Sequence, residues 1–243
     1  MLGEEYFDRV IFHLKSVKKS QFKNIEEAAN LIASSLVEGR VLHVFGCGHS
    51  QLLASELFYR AGGLVPINAM IENPLSPGEG VKSSWFERIP GYASIILDSY
   101  QTSPGEVIII ISTSGLNIVP VEMAIKAKEK GLKIVTLTSL RYRDVFESRH
   151  PSGKMIADLS DVVIDSDISP GDAAIEVPGY PYKMAPLSGI IGASILWALI
   201  CEIVSRLSEK GIEPPIWISG NIPGGDDTNL KLLNKYRPLI KKL

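Results

Sequence analysis

Two short stretches bring together the groups needed to hold a small anion. One is Phe45-Gly46-Cys47-Gly48-His49-Ser50 and the other is Ile111-Ser112-Thr113-Ser114-Gly115-Leu116-Asn117. Each directly follows a short β-rich run, VLHVF (41–45) in the first case and VIIII (107–111) in the second. Glycine lets a backbone approach a ligand closely. Serine and threonine hydroxyls donate hydrogen bonds without adding charge. A helix that starts after such a loop adds free N–H groups and the positive end of its dipole, which favours phosphate. The pair therefore reads as a phosphate cradle. Gly46-Cys47-Gly48 lacks the third glycine of a dinucleotide fingerprint, and no GKS or GKT of a P-loop occurs. The plainer alternative is two tight turns with Ser50 and Ser114 as helix caps.

The surrounding elements explain how the loops would be placed. Tyr6, Val10, Leu14 and Val17, then Ile25, Ala28, Leu31, Ile32 and Leu36, recur at helical spacing across 4–38, and Gly39 stops the run. Helices are expected at 50–61, 91–101, 117–130 and 186–210, with a last one reaching the C-terminus. Strands are expected at 41–45, 64–70, 107–111, 133–139 and 161–165, and residues 71–90 read as a long loop. VIIII shows no alternation, as in a strand buried on both faces of a parallel sheet. Strands alternating with helices argue for an α/β fold.

Composition narrows the function classes. The chain has 243 residues, 45% of them apolar and 21% charged, which is ordinary globular composition. Its 25 basic and 27 acidic side chains give a net charge of -2, so bulk attraction to nucleic acid or to an anionic membrane is not expected. Cys47 and Cys201 make no disulfide framework, and the four histidines show no metal-site spacing. Met184 to Cys201 carries no charge, but glycines, serines and Pro186 dilute it, so a buried core helix is expected rather than a membrane span. The start MLGEEYFDRV does not read as a signal peptide, and a cytoplasmic location is expected.

The segment IIIISTSGLNIVPVEMAIKAKEKGLKIVTLTS resembles the phosphate-binding stretch of sugar isomerase (SIS) domains, phosphoheptose isomerases in particular. GCGHS resembles the first loop of the same domain, and the likeness spans about residues 25–210. The sequences at 148–173 and 219–229 look like a less characterised subgroup of phosphosugar isomerase-like SIS proteins. The resemblance implies a three-layer α-β-α sandwich around a parallel sheet of about five strands, flavodoxin-like, with an N-terminal helical layer. It implies one SIS domain over 1–243, with N-terminal helices (1–38) and a C-terminal helical tail (212–243). Ser50, Ser112, Thr113 and Ser114 would hold the phosphate of a sugar, with Gly115 and Asn117 beside them and Gly48 and His49 near the substrate. Asn117 departs from the threonine or serine that many members have there.

Aldose–ketose isomerisation needs a base that works near neutral pH. The glutamate–histidine pair of phosphoheptose isomerases does not carry over, because the matching stretch reads Phe58-Tyr59-Arg60 and no histidine follows His150. N-acetylmuramic acid 6-phosphate etherases, also SIS proteins, have a glutamate about 20 residues before the corresponding strand, which points to Glu87. The alternative for Glu87 is a surface pair with Arg88. Glu72 and His150 are the assisting candidates, with a solvated loop acid and a turn residue as their alternatives, and Arg141, Arg143, Arg149 and Lys154 lend the region a basic character, Arg141 and Arg143 reading equally as a solvated face. Lys183 precedes the long helix and could see the site, and Asp226 or Asp227 reads as a helix cap. The expected ligand is a phosphorylated sugar, with no metal or organic cofactor. A homodimer or homotetramer with shared active sites is expected. The expected activity is isomerisation, with an N-acetyl sugar-phosphate lyase and a non-catalytic sensor as the alternatives.

Overall fold

The computed structural model describes residues 1–243. Five strands form one sheet: β1 (Leu42–Gly46), β2 (Ile67–Met70), β3 (Val107–Ile111), β4 (Lys133–Thr138) and β5 (Val162–Asp165). Their order is β2-β1-β3-β4-β5, and every neighbouring pair is parallel. Side chains alternate between the two faces of a strand. Leu42, Val44, Val107, Ile109 and Ile111 accordingly join the core on one face, and Phe45, Ile108 and Ile110 join the core on the other. This is why VIIII carries no polar residue.

Helices cover both faces. On the first lie α1 (Leu2–Val37), α2 (His49–Leu57) and α6 (Ser188–Glu209), and on the second α4 (Tyr92–Asp98) and α5 (Ile118–Glu129). The result is the expected three-layer sandwich with a long N-terminal helix. Helix α6 is long and apolar enough to cross a membrane. Its stripe Ile191, Ile195, Leu199 and Ile203 is instead buried in the core shared with α1 and α2. Gly192 lets it approach α2, since a Cβ there would lie 2.7 Å from Leu53 Cδ1.

Several expected boundaries shift. The helix after β1 stops at Leu57, because the chain turns extended at Phe58 and Tyr59 takes a positive φ of 45°. The segment 71–90 is not irregular throughout: it holds two 3-10 turns and α3 (Val81–Phe86). An antiparallel hairpin that the strand pattern did not announce, β6 (Ala173–Ile175) with β7 (Met184–Pro186), precedes α6. The last helix, α7 (Gly225–Tyr236), stops before the C-terminus that it was expected to reach. Its cap residue is Gly224, with Asp226 and Asp227 in the first turn, so neither aspartate is the cap. Asn229 ties α7 to the preceding run by bonding both the amide and the carbonyl of Ile218, at 2.9 and 2.7 Å. Trp217, Tyr236 and Ile240 then close a third small core with Val41 and Val65.

Candidate functional site

In an open parallel sheet a ligand crevice forms where the strand order reverses direction, at the carboxyl ends. Here that point lies between β1 and β3. The helix after β1 sits on one face and the helix after β3 on the other, so the two loops part and leave a cleft. A cavity of about 890 Å3 occupies it. Gly48, His49, Ser50, Glu87, Ser112, Thr113, Ser114 and Asn117 all line this cavity. Three expected site residues do not: Gly115, Glu72 and His150.

The first loop is shaped by close packing. A Cβ on Gly46 would lie 2.6 Å from the Ser50 carbonyl oxygen, so only glycine lets β1 run into α2 at this angle. Gly48 takes φ 57° and is the residue that caps α2, its amide donating to the Leu75 carbonyl at 2.8 Å. Ser50 lies inside the first turn of α2 and is not its cap.

The second loop folds over a buried hydroxyl. Ser112 is almost wholly buried, and its Oγ accepts the Gly115 amide at 3.1 Å. Gly115 has φ +66°, and a Cβ there would meet Thr138 Oγ1 at 2.8 Å and Ile156 Cγ1 at 3.1 Å. Its role is therefore to turn the loop under the cavity rather than to face it. Asn117 caps α5, so Ser114 is not a cap residue either.

No lysine or arginine lines the cavity. The positive character there comes from helix N-termini, since α2 starts at His49 and α5 at Ile118, both beside lining residues. Helix α6 starts nearby as well, but Asp172 already accepts its Leu187 amide at 3.1 Å and its Ser188 amide at 2.9 Å. None of the expected basic residues Arg141, Arg143, Arg149 and Lys154 lines the cavity. Arg141 is held by Asp167 and Arg143 by Asp158. Lys183 lines a separate cavity and pairs with Glu176 at 3.0 Å.

Of the carboxylates expected from the sequence, Glu87 is the one that the fold brings to the cavity with the hydroxyl loops. It caps the C-terminus of α3, and its carbonyl accepts the Val119 amide at 3.1 Å. Burial raises its pKa, partly offset by hydrogen bonding from Asn117 and by the charges of Arg88 and Arg149. A carboxyl group raised in this way is a stronger base once ionised and titrates closer to neutral pH. Cys47 lies near it, its thiol pushed well up by burial and then by the Glu87 charge, which leaves it a protonated thiol rather than a nucleophile.

Glu72 turns away. Its carboxylate accepts the Tyr100 hydroxyl at 3.1 Å, and Gln51 Oε1 accepts its backbone amide at 3.0 Å. His150 folds into its own turn, with Nδ1 2.8 Å from Ser152 Oγ. Residues not expected from the sequence complete the wall. Tyr6 of α1 reaches over and donates to the Pro186 carbonyl at 2.8 Å, and Tyr142, Glu56, Asp172 and Ile190 also line the cavity. Tyr6 comes from a helix far away in sequence, and its place in the apolar spacing of α1 marks it for packing rather than for the cavity wall. Glu56 was detectable as the acid of α2 beside Arg60, to which it bonds at 2.7 Å.

The chain is similar to known proteins in sequence and in fold. The SIS domain family model matches residues 5–139. A UPF0309 protein of Thermoanaerobacter pseudethanolicus is 44% identical, over 98% of this chain and 99% of that protein. A UPF0309 protein of Geobacillus kaustophilus is 40% identical, over 98% and 96%. Among solved structures, the phosphoheptose isomerase of Neisseria gonorrhoeae superposes with a TM-score of 0.58 at 16% identity, covering 86% of this chain and all 100% of that one. The sugar isomerase domain of an RpiR transcription factor from Sphaerobacter thermophilus gives 0.53 at 17% identity, covering 98% and 99%. At these identities the structural likeness speaks for the fold.

Proposed function

The chain belongs to the SIS-domain family, in the group of UPF0309 proteins, and on that premise we propose that it binds a phosphorylated sugar and isomerises it by proton transfer. The observation that carries this reading is the placement of Glu87 in the same cavity as Ser50, Ser112, Thr113 and Ser114. The hydroxyls and the N-termini of α2 and α5 supply neutral donors and a dipole for a phosphate. Glu87 then stands as the base. It takes the proton from C2 of the open-chain aldose, an enediol forms, and the proton returns to C1 while the O2 hydroxyl proton moves to O1. No cofactor enters that balance.

A second reading follows from the size of the cleft, whose volume of about 890 Å3 lies near the upper end for small-molecule pockets. A substituted sugar phosphate fits it, and with an ether at C3 the same C2 proton loss leads to elimination. We further propose that the site is completed in a homodimer. Ile190 and Leu52 line the cavity yet are about half exposed, 44% and 49%, and a second copy would cover them.

The test is NMR in heavy water with hexose, heptose and N-acetyl-amino sugar phosphates. An aldose–ketose change with deuterium at C1 of the ketose and at C2 of the aldose re-formed from it supports the isomerase. Loss of an ether substituent supports the lyase. Binding without exchange on any sugar removes both and leaves a sensor.

A further inference from the structure

We propose that Arg149 and Asn117 form a relay that positions the Glu87 carboxylate, so that Asn117 serves the base rather than the phosphate. The inference rests on the reading of Glu87 given above and adds two positioning residues to it. Asn117 caps α5 with its backbone, and its side chain makes no capping bond. Instead Arg149 Nη1 donates to Asn117 Oδ1 at 2.5 Å. A guanidinium has donors and no acceptor, so this bond fixes which way the amide points. The oxygen faces Arg149, and the NH2 group is left for the neighbour on the other side. Glu87 shares the cavity wall with Asn117 and is tied by its carbonyl to the same helix start, and in this proposal it is the group that takes that NH2 donor.

The backbone holds all three residues at the start of α5. The Val119 amide donates to the Glu87 carbonyl at 3.1 Å, and the Arg149 amide donates to the Leu116 carbonyl at 2.9 Å. The residues come from three separate segments, yet each is tied within two positions of Asn117. Arg149 does not line the cavity. The bond to Asn117 thus leaves the ligand space free of the guanidinium. The other titratable groups facing Glu87 are Arg88 beside it and Cys47 across the cleft. His49 and Glu56 of α2 line the same cavity.

The relay has a readout that requires neither substrate nor turnover. The side-chain carboxyl of Glu87 can be followed by carbon-13 NMR in the free protein, with its signal assigned by its loss in Glu87→Gln. Removing a donor or a nearby cation removes a force that favours the ionised form, so the titration midpoint rises. Asn117→Ala and Arg149→Met should each raise it, by roughly one pH unit. Arg149→Lys keeps the charge but loses the directed bond, and should raise it less than Arg149→Met. A midpoint unmoved in both Asn117→Ala and Arg149→Met overturns the relay. So does a rise in Arg149→Met alone, which would make Arg149 a through-space charge and leave Asn117 no part in it. Failure of every sugar phosphate in the exchange experiment would sink the isomerase reading without touching this result.

Discussion

The carbonyl of Glu87 accepts the amide of Val119 at 3.1 Å, which joins the candidate base to the first turn of the helix that follows the hydroxyl loop. The candidate base and the proposed phosphate cradle are thereby linked through the start of α5. Proton transfer is sensitive to the geometry between base and substrate, and such a tie holds it without a flexible linker. Removing the base while keeping its shape should abolish chemistry but not binding. Glu87→Gln should lower turnover by roughly a hundredfold or more, with Kd for the sugar phosphate changed little. Full turnover in that variant would remove Glu87 from the mechanism.

The same substitution should change stability with pH in a defined direction. The folded state raises the Glu87 pKa, chiefly by burial. A raised carboxyl holds its proton longer when folded than when unfolded, so stability falls as pH rises through the interval between the unfolded and folded values. Above that interval the wild-type protein carries the cost of a buried charge, and the neutral amide of the Glu87→Gln variant does not. Thermal melts should show Glu87→Gln more stable than wild type at neutral pH. The difference should shrink as pH falls and be gone below about pH 4. A constant difference at every pH would contradict this.

Ser112 and Ser114 should separate under mutation. Both line the cavity, but only the Ser112 hydroxyl also accepts the Gly115 amide. A hydrogen bond to a charged group is worth about 1.5–3 kcal/mol, which is tenfold or more in affinity. Each alanine should weaken sugar-phosphate binding by about that factor, measured by calorimetry. Ser112→Ala should in addition cost about 1 kcal/mol of stability, whereas Ser114→Ala should melt with the wild type. Unchanged binding in both would refute the cradle.

Gly115 gives a prediction about the loop rather than the ligand. Alanine there would have to adopt φ +66° and press its methyl to 2.8 Å from Thr138 Oγ1. The combined strain should cost about 1–3 kcal/mol of stability. Affinity should also fall, because relieving the contact lifts Thr113 and Ser114 out of place. A variant with wild-type melting and wild-type affinity would show that the turn does not depend on glycine.

Local chemistry made much of this protein readable from its sequence. The apolar strand runs, the glycine and hydroxyl loops and the helical periodicity of α1, α5 and α6 each depend on neighbours a few positions apart. Their alternation implies the parallel sheet, and the sheet places its loops at one edge. The pairings between side chains were not readable, because they depend on how helices pack over long sequence distances. Glu72 and Glu87 both looked like acids near a cleft. Packing sends Glu72 to the Tyr100 hydroxyl, 28 positions away in sequence, and Glu87 to the cavity. Arg149 and Asn117 are 32 positions apart and meet at 2.5 Å. His43, inside a strand run, pairs with Glu106 at 2.9 Å in the interior, where the strand pattern alone leads one to expect only apolar contact. Residue order was enough to say which elements form and where an anion could bind. Which of the expected carboxylates lines the cavity was decided only by the packed chain, because burial and partner choice are set by contacts that no local window contains.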